Sequence, residues 1–156
     1  MKISILVFFS CFITILTNAQ PFTLNKNIKP VELKLVPYKA KDSIWNGKIN
    51  ITTVAQKEDT LYYFVKGLSI YQPIYISIAS QNPKHKYEIK LCKDNWKSAD
   101  RTAKLDAKGN WGMQFKTEGS FGLMVVCKEP LTNYKLLVWV GKELKNIGIP
   151  SPFTKK

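Results

Sequence analysis

Apolar and polar positions alternate with period two along most of this chain, the pattern of strands that bury one face and wet the other. Residues 31–36 set Val31, Leu33 and Leu35 against Glu32 and Lys34. After the turn signal Trp45-Asn46-Gly47 come KINITTVA at 48–55 and the aromatic, β-branched run TLYYFVK at 60–66, closed by Gly67. In 73–80, Ile74, Ile76 and Ile78 share one face, and Pro73 opens the run where a missing N–H is tolerated. Tyr87, Ile89 and Leu91 repeat the alternation in 86–92, and a weaker strand follows near 101–106. Beyond Lys108-Gly109-Asn110, Trp111, Met113 and Phe115 share a face of 111–116. SFGLMVVC at 120–127 and NYKLLVWV at 133–140 are the strongest runs. About nine short strands with no helical window predict an all-β protein. The expected form is a single antiparallel β-sandwich, jelly-roll-like, over 31–141.

The ends break this pattern. Residues 1–19 combine Lys2, an apolar run from Ile3 to Leu16 and small residues at the −3 and −1 positions of Thr17-Asn18-Ala19, which reads as a secretory signal cleaved after Ala19. That run is short of the roughly 20 residues a membrane span needs, and no later stretch is long and apolar enough. Residues 20–30 form a lead-in bounded by Pro21 and Pro30, and 142–156 an extended tail with two prolines. The expected location is therefore outside the cytoplasm, periplasmic or at the cell surface.

Charge narrows the partners. The chain carries 24 Lys+Arg against 11 Asp+Glu, a formal net charge of +13, and Arg101 is its only arginine. Readers of nucleic acid rely on arginine forks for phosphate and guanine, so nucleic acid is not an expected partner. Anionic glycans, lipid head groups or acidic protein surfaces fit better. Export leaves two cysteines, Cys92 and Cys127, which an oxidising compartment permits to pair. Each closes a strand, so pairing requires those strand ends to be neighbours, and two buried free thiols are the competing expectation.

Catalytic chemistry is poorly supplied. His85 is the only histidine and sits in a lysine-flanked loop, where a nucleophilic triad would need two further groups to converge. No CxxC or HExxH spacing provides a metal centre, and Asp94, Asp100 and Asp106 are too far apart for an EF-hand loop. The expectation is no enzyme, no cofactor and no metal.

From Trp45 to Val140 the order of features resembles the bacterial pre-peptidase C-terminal domain, a small β-sandwich appended to secreted enzymes. The resemblance rests on Gly47, Glu58-Asp59, the strand Tyr62-Tyr63-Phe64-Val65 with Gly67 after it, Gly119-Ser120-Phe121, and Tyr134-Lys135-Leu136-Leu137-Val138. It implies a non-catalytic accessory domain. The chain departs from that family in its basic charge and in lacking the clustered acids through which some relatives bind calcium. Asp42-Ser43-Ile44 and Asp59-Thr60-Leu61 are similar to the O-glycosylation signal of exported Bacteroidota proteins, which would modify Ser43 and Thr60.

A binding module for another protein is the expected function, with two alternatives. The last two long strands carry apolar residues on both faces, whereas an antiparallel strand with one wet face carries them on one. Met124, Val126, Leu137 and Trp139 are therefore the expected contact residues for another envelope or outer-membrane protein, bound through sheet edges and the extended termini, unless the chain's own tail covers them. The alternative is a carbohydrate-binding module, with Trp96 stacking on a sugar and Lys93, Asp94 and Asn95 bonding its hydroxyls. An enzyme inhibitor or a lysine-driven polyanion binder is the third option.

Overall fold

The computed structural model describes residues 27–129 and 131–143. The leader at 1–19, most of the lead-in and nearly all of the tail lie outside the described residues.

Ten strands run in chain order: β1 (Val31–Glu32), β2 (Val36–Tyr38), β3 (Gly47–Gln56), β4 (Thr60–Leu68), β5 (Ile74–Ser80), β6 (Tyr87–Cys92), β7 (Arg101–Lys104), β8 (Asn110–Phe115), β9 (Gly119–Cys127) and β10 (Thr132–Gly141). They form two five-stranded sheets, ordered β1-β4-β9-β6-β7 and β2-β3-β10-β5-β8. The expected sandwich is present, with one strand more than the sequence pattern suggests. The first alternating run, 31–36, is not one strand. Leu33 is buried and its N–H donates to the carbonyl of Phe64 at 2.9 Å, after which the chain leaves the first sheet and joins the second as β2. The split also corrects the purely antiparallel expectation, because β1 pairs with β4 in parallel.

The core follows the alternation. Ile74, Ile76 and Ile78 of β5, Tyr134, Leu136 and Val138 of β10, Leu123 and Val125 of β9, and Ile89 of β6 are essentially sealed from water and meet between the sheets. Fully burying such a side chain contributes about 1.5–3 kcal/mol. Three tyrosines carry polar tips into this core: the hydroxyls of Tyr63 and Tyr134 satisfy one another at 2.9 Å, and that of Tyr87 accepts from the Ser80 hydroxyl at 3.3 Å. Burial pushes the Tyr63 and Tyr134 phenols above the usual tyrosine range.

Candidate functional site

Because one residue set of each sheet fills the core, the other set defines two outer faces, and the four expected contact residues divide between them. Met124 and Val126 point outward from β9, whereas Leu137 and Trp139 point outward from β10 in the opposite sheet. They lie on opposite sides of the molecule and cannot form one contact surface.

The β9 side is covered by the chain itself. Phe64, Gly122 and Cys92 lie abreast on β4, β9 and β6, with Tyr62, Met124 and Lys90 one register step away. The 93–100 loop folds Trp96 onto this patch, where it packs with Phe64 and Cys92 and is joined by Ile28, Tyr62, Ala99 and Met124. Its ring meets Tyr62 edge-on, centroids 5.1 Å apart at 79°. Loop hydrogen bonds hold that position. Asp100 accepts from the Lys93 N–H at 2.6 Å, and the Asn95 side-chain oxygen accepts from the N–H groups of Lys97 and Ser98 at 2.9 and 3.0 Å. Trp96 is only 9% exposed, so the expectation of an open stacking ring there is not met. The loop is polar in sequence but carries one apolar anchor, which faces the sheet because leaving an indole in water forgoes its burial.

The β10 side presents a different surface. Val36, Ile49, Trp139 and Tyr75 lie abreast across β2, β3, β10 and β5, and Ile51 with Leu137 forms the next row. Val36 is 57% and Ile51 62% exposed, and Leu137 is half-buried. Trp139 departs from expectation, at 7% exposure. The short 3-10 turn Ser43–Trp45 covers it, with the Trp45 ring edge-on at 5.3 Å and the Trp45 carbonyl accepting the Trp139 indole N–H at 2.8 Å. Gly141 makes room for this ring, since a Cβ there would lie 2.8 Å from the Trp139 Cη2 and 2.6 Å from the Pro73 ring. Trp45 itself is half exposed and, with Tyr75, Gln114 and Trp139, lines a groove of about 460 Å³. The sequence-level signal for this patch was present in the exposed isoleucines of 48–55, but ITT and INI read equally well in either facing. Only the register against β10 decides which side Ile49 and Ile51 take.

The remaining candidates are dispersed. Cys92 and Cys127 are both free. In the antiparallel β6–β9 pair, Tyr87 faces Cys127 and Cys92 faces Gly122, so the two thiols sit at opposite ends of the ladder, roughly five residues or about 16 Å apart along it. Burial, and then the Asp100 charge, pushes Cys92 up to about 11, and burial with a hydrogen bond to the Glu129 carboxylate does the same to Cys127. Both are protonated at neutral pH and are poor nucleophiles. The Asn82 side-chain amide N–H donates to His85 Nε2, 2.8 Å away, within its own turn. Among the described residues no three His, Cys, Asp or Glu side chains gather as a metal centre, and no helix is long and apolar enough to cross a membrane. Ser43 lies in the 3-10 turn and Thr60 opens β4, half-buried.

Comparison with known proteins adds the fold. No family model matches the chain, and no curated protein matches its sequence. PliG of Aeromonas hydrophila, a periplasmic inhibitor of g-type lysozyme, is similar at TM-score 0.48 and 14% identity, over 72% of this chain and 96% of that one. The pre-peptidase C-terminal domain of a collagenase from Bacillus anthracis superposes with TM-score 0.50 and 14% identity, over 73% of this chain and 98% of the domain. The chain therefore shares the β-sandwich fold of the pre-peptidase C-terminal domain, as the order of strands and turns in its sequence implies.

Proposed function

We propose that this protein is an exported, non-catalytic binding module that associates with another protein of the cell envelope through the outer face of the β2-β3-β10-β5-β8 sheet. The observation that carries the reading is the apolar strip Val36, Ile49, Ile51 and Leu137 with the half-exposed Trp45 beside it. An antiparallel sheet face left in water is normally polar, and a contiguous apolar patch rimmed by charge is the usual form of a protein contact. Lys135 continues the strip on the same face, and with the chain's excess of Lys+Arg over Asp+Glu it favours an acidic partner. Export rests on the leader at 1–19, and the absence of catalysis on the lone histidine and the protonated thiols.

The test is recovery of partner from the native envelope by wild type and by the double variant Ile51→Ser/Leu137→Ser. Both side chains reach solvent, so stability should change by no more than about 1 kcal/mol, while loss of two apolar anchors should reduce recovery by about tenfold or more. Undiminished recovery by a folded double variant would sink the reading.

One observation favours the carbohydrate alternative, transferred from Trp96 to Trp45. The exposed Trp45 indole stands beside Tyr75 and Gln114, so a sugar ring could stack while the amide bonds a hydroxyl. Trp45→Ala should then abolish glycan binding and leave protein recovery unchanged.

A further inference from the structure

A sandwich of two open sheets has four edge strands, and each exposes a row of main-chain donors and acceptors. Three of the four are guarded. β1 has two residues, one of them Glu32; β2 has three, with Pro37 at its centre; β7 carries Arg101 and Lys104. β8 is different. Its six residues, NWGMQF, contain neither proline nor charge, and no register shift interrupts its pairing with β5.

The hydrogen-bond phase identifies which groups of β8 are open. Ser80 donates to the Gly109 carbonyl at 2.8 Å, so in this antiparallel pair Trp111, Met113 and Phe115 bond to β5. Asn110, Gly112 and Gln114 turn their main-chain groups outward. Those of Asn110 are taken by Asp106, whose side chain accepts at 2.8 Å and whose N–H donates at 2.8 Å. Among the described residues, the N–H and C=O of Gly112 and Gln114 remain without a partner. On the core side, Trp111, Met113 and Phe115 are only half-buried, because nothing in the sheet lies beyond them.

Arg101 stands at this opening. It pairs opposite Leu91, an inward position, and therefore projects between the sheets, where its Nη1 lies 3.4 Å from the Met113 sulfur. Its guanidinium is in no ion pair among the described residues. Asp100, its neighbour in the chain, accepts from the Lys93 N–H, and Asp106 accepts from the N–H groups of the β8 turn. Lys108 and Lys116 bracket the strand. A second copy of this chain would bring the same cations against themselves, so charge selects an acidic occupant.

We infer that β8 is a docking edge for an extended acidic segment of the partner, added as a sixth strand of its sheet. Main-chain groups of Gly112 and Gln114 supply the ladder, apolar side chains of the segment cover Trp111 and Phe115, and a carboxylate at the position between them meets Arg101. This inference rests on the protein-partner reading above and assigns the partner's chemistry.

The probe is a blocked heptapeptide of sequence TVTETVT, with TVTKTVT as its counterpart, titrated against the whole exported chain. The glutamate peptide should bind about tenfold more tightly than the lysine peptide, and Arg101→Gln should erase that preference. Gln114→Pro removes one outward N–H without touching the β5 ladder and should weaken binding about tenfold, whereas Gln114→Ala should leave it within about twofold. Amide exchange of the wild type keeps the test open should the proline variant misfold, since Gly112 and Gln114 should be selectively protected by peptide. No binding up to about 1 mM, binding indifferent to Gln114→Pro, or protection at another edge would each overturn the inference. A wild-type dimer that Gln114→Pro dissolves would overturn it too, assigning the edge to a second copy. Failure here with partner recovery still lost in Ile51→Ser/Leu137→Ser would leave the sheet-face reading standing.

Discussion

Trp139 donates its indole N–H to the main-chain carbonyl of Trp45, 94 residues away in sequence, and the same two rings meet edge to face at 5.3 Å. Bond and contact together pin the 43–45 turn against the last strand and convert a surface tryptophan into a packed one. Leu137, two residues earlier on the same face, has no such cover.

The two neighbours should therefore respond differently to the same substitution. Trp139→Ser should cost about 3–5 kcal/mol, as large core truncations do. Leu137→Ser should cost under about 1 kcal/mol. Urea unfolding of the two single variants reads the difference, and equal losses would contradict the packing described here.

A second prediction concerns the buried phenols. Tyr63→Phe strands the Tyr134 hydroxyl, and Tyr134→Phe strands that of Tyr63, each at about 1–2 kcal/mol. The double variant leaves no orphan, so its cost should be close to that of one single, with a coupling of about 1 kcal/mol in the double-mutant cycle. Simple additivity would show that the pair is not a satisfied unit.

Burial determines the alkaline limit. Both thiols ionise near 9 in an open chain and are pushed up to about 11 in the fold, so the protonated form is the one the fold favours. Their contribution is complete below pH 9 and is lost as pH rises through 11, by about 2 kcal/mol per thiol. Stability measured against pH should decline from 9 upward in wild type. Cys92→Ala/Cys127→Ala should stay level to about pH 10, where ionisation of tyrosines in the unfolded chain begins to pull. At neutral pH the native thiols should resist alkylation and react once urea is added.

Trp96 supplies the fourth test. It seals the outer face of β4, β9 and β6, so Trp96→Ala should cost about 3 kcal/mol and expose Phe64 and Met124. Glycan binding should not depend on it. A stable Trp96→Ala variant that loses sugar affinity would reverse the assignment.

Much of this architecture is legible in the chain itself. The isoleucines at 74, 76 and 78 and the alternation of 133–140 state which faces are inward, because a two-residue period admits only two facings and one of them buries charge. Residues 31–36 mislead for a physical reason. Alternation fixes the facing of a strand but not its sheet, and in a sandwich two sheets offer the same inward side, so Leu33 and Leu35 satisfy the core while the chain crosses between layers. The binding candidates were harder. Apolar residues on both faces of β9 and β10 mark the outer faces, but not which of those residues the chain itself covers: Trp96 packs over the β9 side and Trp45 over Trp139 alone, and both are single anchors in polar stretches that carry no period. The open stretch of β8 is invisible in sequence, since which strands end at an edge is a property of sheet order alone.

That order has a consequence for the timing of folding. β10, the last strand among the described residues, occupies the middle of its sheet, with β3 on one side and β5 on the other. Until residues 132–141 exist, β3 and β5 have no common neighbour, and half of the core has no floor. A chain stopped before this strand has one sheet in two unjoined pieces, β2-β3 and β5-β8. Joining them waits for long-range pairings such as Gly47 with Gly141, a slow class of event by its topology. Removing residues 132–141 should therefore unfold the domain rather than shorten it.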